Sequence, residues 1–300
     1  MMRKTLLMMM LAVTMIAAAE THNLTVGLNA GAATYTTDAE ASNRFGPSLG
    51  VQVNYTCLWS LGNYSPLSMG VATGLGLGWT QTGLSMDWHT QYVNVDFSGH
   101  QLQYTMQGSA TQKDRQVQAE LPLLLAFKAA GFRLNVGPKV MYVFPRTYSL
   151  SLGEANSDLD FLDFGVHMSD DPIAGQLPAD RMTQSGSTLT PALNVLLTAQ
   201  VGYEFYINEQ HAIGLQAYID YGLWNSYSNA NPTNRFIDVA PITDPNTTTP
   251  QITIYDLNAS FVTKVNYLSF GLRFYWNMSW EFNRMHGGHH APRGGRVYYQ

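Results

Sequence analysis

Residues 115–144 carry two alternating strands joined by almost nothing. The first, Gln116 to Phe127, places Val117, Ala119, Leu121, Leu123, Leu125 and Phe127 on one face. The second continues that face with Phe132, Leu134, Val136, Val140, Tyr142 and Phe144. The opposite face holds Gln118, Glu120, Lys128, Arg133, Asn135, Gly137 and Lys139. Side chains alternate with period two along a strand, so the hairpin is an apolar wall backed by a polar, charged one. Long strands of this kind suit a barrel in lipid, whose outside meets acyl chains and whose inside is polar. That location excludes most classes of soluble enzyme.

The N-terminus agrees with export. Met1 to Lys4 is a short basic region, Thr5 to Ile16 is apolar, and Ala17 to Ala19 supply small residues. This order predicts a secretory signal over residues 1–19, cleaved after Ala19. The apolar run is too short to span a bilayer comfortably as a helix. No Cys lies nearby to carry a lipid anchor. Loss of Arg3 and Lys4 leaves 14 basic against 21 acidic residues, a net charge of −7. A nucleic-acid partner, which wants a basic footprint, is therefore not expected. Charged residues make up only 12% of the chain, about half the usual share of a soluble domain. No later segment has the roughly 18 apolar residues of a membrane helix. A membrane barrel explains both facts, since each of its strands is only half apolar. Cys57, the single cysteine, shares the parity of Leu49, Val51, Val53 and Tyr55 and reads as a buried or lipid-facing thiol.

Eight segments share the alternation: Leu24 to Ala33, Phe45 to Leu58, Gly70 to Gln81, the two hairpin strands, Ala192 to Tyr206, His211 to Trp224 and Val265 to Trp276. Their connections are short after the second, fourth and sixth strands and long after the third, fifth and seventh. Outer-membrane barrels have short periplasmic turns and long outer loops. The expected fold is therefore all-β: an antiparallel, up-and-down transmembrane β-barrel of eight strands, with ten as the alternative. The barrel is assigned to residues 20–276, with long outer loops at 82–115, 146–191 and 225–264, and residues 277–300 form a flexible periplasmic tail. A weaker alternation from Tyr92 to Met106 reads as a hairpin projecting above the membrane. Pro122 and Pro138 strain the picture, because a closed barrel has no edge to hide a missing N–H. With Phe127 set opposite Phe132, both prolines fall at one level, where a bulge or kink is expected. That register also sets Glu120 directly opposite Lys139.

The run Glu120 to Phe127, its tight turn and Val136-Gly137-Pro138-Lys139 resemble the PorT-like outer-membrane β-barrel family of Bacteroidetes. Gly202-Tyr203-Glu204-Phe205 and Leu268 to Phe274 are similar too. The resemblance covers roughly Asn23 to Trp276 and implies the fold. It implies little about function, since that family's members are mostly structural membrane proteins, some linked to protein secretion. The tail has no counterpart in the family.

An eight-stranded barrel is just wide enough for side chains to fill it. The inward positions form a candidate polar network of Gln118, Glu120, Arg133, Lys139, Gln200, Glu204, Gln216, Asp220 and Arg273, with Glu120 paired to Lys139. Inward glycines on the third strand leave room for Tyr218 or Tyr267. The expected role is a structural or surface-interaction protein with a side-chain-plugged lumen. A narrow channel or carrier for small solutes is one alternative, and a secreted soluble β-sandwich binding module is another. No enzyme is expected, because nothing in the sequence near the loop histidines His89, His100 and His167 fixes a triad. Asp158, Asp160 and Asp163 are weak metal candidates lacking the Gly and distal Glu of a calcium loop. His286, His289 and His290 in the tail are the other weak candidates. No cofactor is implied. Outer-membrane lipid is the expected surrounding of a monomer, with an extracellular or periplasmic protein as a further partner.

Overall fold

The computed structural model of the chain describes residues 21–37, 42–61, 67–95, 98–168, 183–188, 192–223, 237–240, 251–254 and 265–281. The expected signal (1–19) and most of the expected 225–264 loop lie outside the described residues. Of the expected 277–300 tail, residues 277–281 belong to the last strand instead, and the rest lies outside the described residues.

Eight long strands form a closed ring. They are β1 (Thr21–Thr37), β2 (Gly46–Ser60), β3 (Leu67–Val95), β4 (Gln101–Ala129), β5 (Phe132–Val143), β6 (Ala192–Tyr206), β7 (His211–Gly222) and β8 (Val265–Glu281). Each pairs antiparallel with its neighbour in the chain. Strand β1 pairs with β8 from Thr21↔Glu281 to Thr37↔Val265 and closes the ring. Eight strands, not ten, make the barrel. The sandwich alternative fails on burial: Leu28, Leu75, Leu123 and Leu272 are 62%, 68%, 55% and 54% exposed. A sandwich would bury such residues against a second sheet, whereas a barrel turns them to acyl chains.

The hairpin register differs from the one the sequence suggested. Ala129 pairs with Phe132 and Phe127 with Leu134. The turn is two residues long because Ala130 (φ 46) and Gly131 (φ 89) both take left-handed backbone. Two consecutive positive φ angles are what a type I′ turn requires. Glu120 consequently lies opposite Met141, and Pro122 opposite Lys139.

The prolines also act differently from the expected bulge. The β3–β4 ladder skips from Thr73↔Leu123 to Gly76↔Glu120 at Pro122. The β4–β5 ladder skips from Pro122↔Lys139 to Leu125↔Val136 at Pro138. Register is unchanged across both gaps, so no residue is inserted. Each proline removes one N–H from one ladder and keeps its pairing on the other side, Pro122 with Lys139 and Pro138 with Leu197.

Above the ring the sheet continues. The 82–115 segment is not a loop: β3 and β4 stay paired up to Val95↔Gln101, as the projecting hairpin reading expected. A strand at Arg146–Phe161 pairs with the upper half of β4, so this part of the 146–191 segment is sheet as well. Short strands at Val166–Met168 and Thr183–Thr188 pair with it in turn, and Ser42–Arg44 pairs with β3. Leu84, Trp88, Met106, Ala110, Leu150 and Leu159 are buried on this projection. It therefore has an apolar core of its own outside the ring. Ile237–Ala240 and Gln251–Ile254 pair with each other.

Candidate functional site: the barrel interior

Alternation turns the polar positions inward. Gln118, Arg133, Lys139, Gln200, Glu204, Gln216, Asp220 and Arg273 are each at most 3% exposed, and Glu120 is 9%. These side chains form two ion-paired clusters with Arg273 as a separate cation. In the first cluster Lys139 Nζ lies 3.0 Å from Glu120 Oε2 and 2.7 Å from Asp220 Oδ2. Gln118 Nε2 donates to Glu120 Oε1 at 2.8 Å. Thr198 and Ser269 hydroxyls donate to the Asp220 carboxylate at 2.7 and 3.1 Å.

In the second cluster Glu204 accepts two cations. Arg133 Nη1 is 2.7 Å from Oε1, and Lys128 Nζ is 2.6 Å from Oε2. Tyr275 adds a hydrogen bond to Oε1 at 3.2 Å, and Arg133 Nη2 donates to the Thr56 hydroxyl at 3.0 Å. Charges held this far from water need such partners, because desolvation otherwise costs several kcal/mol per ion. Arg273 has amides instead: Nε donates to Asn29 Oδ1 at 2.6 Å and Nη1 to Gln200 Oε1 at 3.0 Å. Gln216 lines a cavity with Arg133 and Arg273. That cavity and one beside Lys139, Glu120 and Asp220 are each about 10 Å³, room for about one water.

Several participants were not singled out in the sequence. Lys128, on the polar face of the hairpin and outside the expected network, closes the Glu204 pair. Thr56, Thr198, Ser269, Asn29 and Tyr275 all obey inward parity, the only signal available for them. The interior is also partly apolar. Leu58, Ala72, Leu124 and Ala126 pack together inside, and Met141 and Leu196 are fully buried. The unbroken apolar run from Leu121 to Ala126 carried that signal.

The room beside the β3 glycines is taken by other side chains than Tyr218 or Tyr267. A Cβ on Gly76 would meet Glu120, and one on Gly78 would meet Gln118 at 3.2 Å. Tyr218 instead sets its hydroxyl against Gly31 and Gly271, at 2.8 and 2.9 Å from a Cβ built there, and Tyr275 covers Gly214.

The metal candidates do not converge. Asp160 Oδ1 bonds His167 Nδ1 at 2.6 Å, while Asp163 Oδ2 lies 3.4 Å from His100 Nδ1. Asp158 stands on the same strand, opposite Thr105. Among the described residues no three His, Cys, Asp or Glu groups sit together as a metal site. His286, His289 and His290 lie outside the described residues. Cys57 is 3% exposed, with Sγ 3.8 Å from His22 Nδ1.

A closed eight-stranded ring with an apolar outside and a polar inside defines an outer-membrane-type β-barrel. The chain belongs to the outer membrane protein β-barrel domain family, which matches residues 17–228, and is a protein of the outer membrane. Among solved structures it is similar to Ail, the attachment invasion locus protein of Yersinia pestis. The identity is 7%, covering 87% of this chain and 99% of that one, with a TM-score of 0.27. Neisserial surface protein A is 9% identical over 85% of this chain and 96% of its own, with a TM-score of 0.24. The outer membrane protease OmpT from Escherichia coli is 7% identical over 88% and 98%, with a TM-score of 0.26. At these values none of the three lends its activity to this chain. No curated protein matches it.

Proposed function

We propose that this chain is a structural or surface-interaction protein of the outer membrane, with its lumen plugged by its own side chains. The Lys139 bridge to both Glu120 and Asp220 carries the reading. It ties β4, β5 and β7 together across the interior, where a pore would need continuous water. The apolar cluster around Leu124 supports it from the side of the short turns. Long connections then face the exterior, as outer-membrane barrels have them. The exposed apex of the projecting sheet, with Val93, Phe164 and Val166, is a surface for an extracellular protein partner.

The chain is a PorT-like barrel and a monomer. Residues 1–19 are a cleaved signal, the tail lies in the periplasm, and nucleic acid is not a partner. A narrow channel or carrier for small solutes is the second reading. Reconstitution into planar bilayers decides between them. A plugged lumen gives no steady unitary current, and reproducible steps from the wild-type chain overturn the plug.

A further inference from the structure

The outward face of β3 and β4 changes character abruptly at one level. From Met69 to Trp79 and from Val117 to Phe127 its residues are mostly apolar, matching the roughly 9–11 residues a strand needs to cross a bilayer. Trp79 pairs with Val117 at the loop-side edge of that wall. The next outward row is Gln81 with Arg115. The row above it is Arg44, Gly83 and Lys113 side by side on three strands. Among the described residues, Arg44, Lys113 and Arg115 are the exposed Lys and Arg side chains, and all three stand in this patch. Among the described residues none of them has a carboxylate partner; Arg115 Nε donates to Gln81 Oε1 at 3.3 Å.

Adjacent strands lie about 4.8 Å apart, so the Arg44 and Lys113 backbones stand about 10 Å apart across Gly83. Gly83 puts no side chain between them. The Arg44 side chain closes over Gly83, its Cβ 3.1 Å from a Cβ built there, and three cations stand together where acyl chains give way to headgroups. In a chain with an excess of acidic residues, the exposed positive charge of the described residues stands at that one level.

The geometry points to a binding site for the phosphate of an outer-leaflet lipid headgroup, formed by Arg44, Lys113 and Arg115. Arginine and lysine take phosphate oxygens through charge-assisted hydrogen bonds. The continuity of the patch with the apolar wall selects a lipid, whose acyl chains lie against Trp79 and Val117, over a free phosphate. The inference rests on the orientation proposed above, with the long connections outside. Protease cleavage of the projecting sheet on intact cells tests that orientation separately.

The test uses the full mature chain folded in detergent micelles, titrated with lipid A as the phosphorylated glycolipid and followed by native mass spectrometry. Wild type is expected to retain lipid A, and R44Q/K113Q/R115Q to lose about 100-fold in affinity, near the value for three basic residues at a membrane surface. The heat-dependent gel shift verifies that the variant is folded. R44K/R115K, which keeps the charge, is expected to retain most binding. Dephosphorylated lipid A is expected to bind no better to wild type than to the triple variant. Equal retention of lipid A by wild type and the triple variant overturns the proposal. So does full competition by equimolar inorganic phosphate, which would make this a site for the free ion.

Discussion

Lys139 and Glu120 are bonded without being cross-strand partners. Their charged atoms are 3.0 Å apart, yet Lys139 is in register with Pro122 and Glu120 with Met141. They form a diagonal pair, two residues off register, which a long side chain spans. The reach lets one ammonium serve the neighbouring β4 on one side and, through Asp220 at 2.7 Å, β7 beyond β6 on the other.

Lys139→Met therefore leaves two buried carboxylates without their cation. Breaking a buried pair by removing one partner costs about 3–5 kcal/mol. The expected loss is read from urea titration of the heat-dependent gel shift in lipid vesicles. E120Q/D220N in the same background removes the stranded charges and is expected to restore much of the stability. A single variant as stable as wild type would show that the bridge holds nothing.

The alternation of the hairpin made the barrel, its inward faces and most of the ion-paired residues readable from sequence. The register was not readable, because it depends on whether Ala130 accepts a positive φ, and Ala is not a residue that announces one. Partner choice was not readable either. Parity says that Glu204 and Arg133 face inward, but only the sheared ring brings Lys128 and Tyr275 to the same carboxylate. The extent of β3 and β4 beyond the membrane was only faint in the sequence, since polar residues there alternate against a small core around Trp88 and Met106.

The turn itself stores strain at Ala130, whose φ of 46 disfavours a residue with a Cβ. Ala130→Gly or Ala130→Asn relieves it, and a gain of roughly 0.5–1 kcal/mol is expected. Equilibrium unfolding in vesicles checks the sign. Gly131→Ala has the reverse effect, since its φ is 89 and a Cβ there would sit 2.8 Å from the Tyr203 ring.

Gly214 is the floor on which the Tyr275 ring rests, and a Cβ there would overlap the ring. Gly214→Ala must push the ring aside, away from the Glu204 carboxylate that its hydroxyl bonds at 3.2 Å. Overpacking of this kind costs about 1–3 kcal/mol. Tyr275→Leu added to Gly214→Ala is expected to cost less than the two single effects combined, because the clash disappears with the ring. Strict additivity in the double-mutant cycle would refute the contact.

On the projecting sheet, His167 and Asp160 form an exposed pair with Nδ1 and Oδ1 at 2.6 Å. The hydrogen bond and charge of Asp160 raise the His167 imidazole above its ordinary value, which is about 6.5. The folded state thus favours the protonated ring. The pair contributes fully below the pKa of the unfolded imidazole, and its contribution is lost as pH rises through the higher folded value. An NMR titration of the His167 ring is expected to show a midpoint above about 6.5, falling back in Asp160→Asn. Both groups are at the surface, so salt screens them and the effect on global stability is small. The consequence is local: the Val166–Met168 strand, held to Leu159–Phe161, should exchange its amides faster above the His167 midpoint than below it. Equal exchange on both sides of that midpoint would mean that the backbone ladder alone holds the strand.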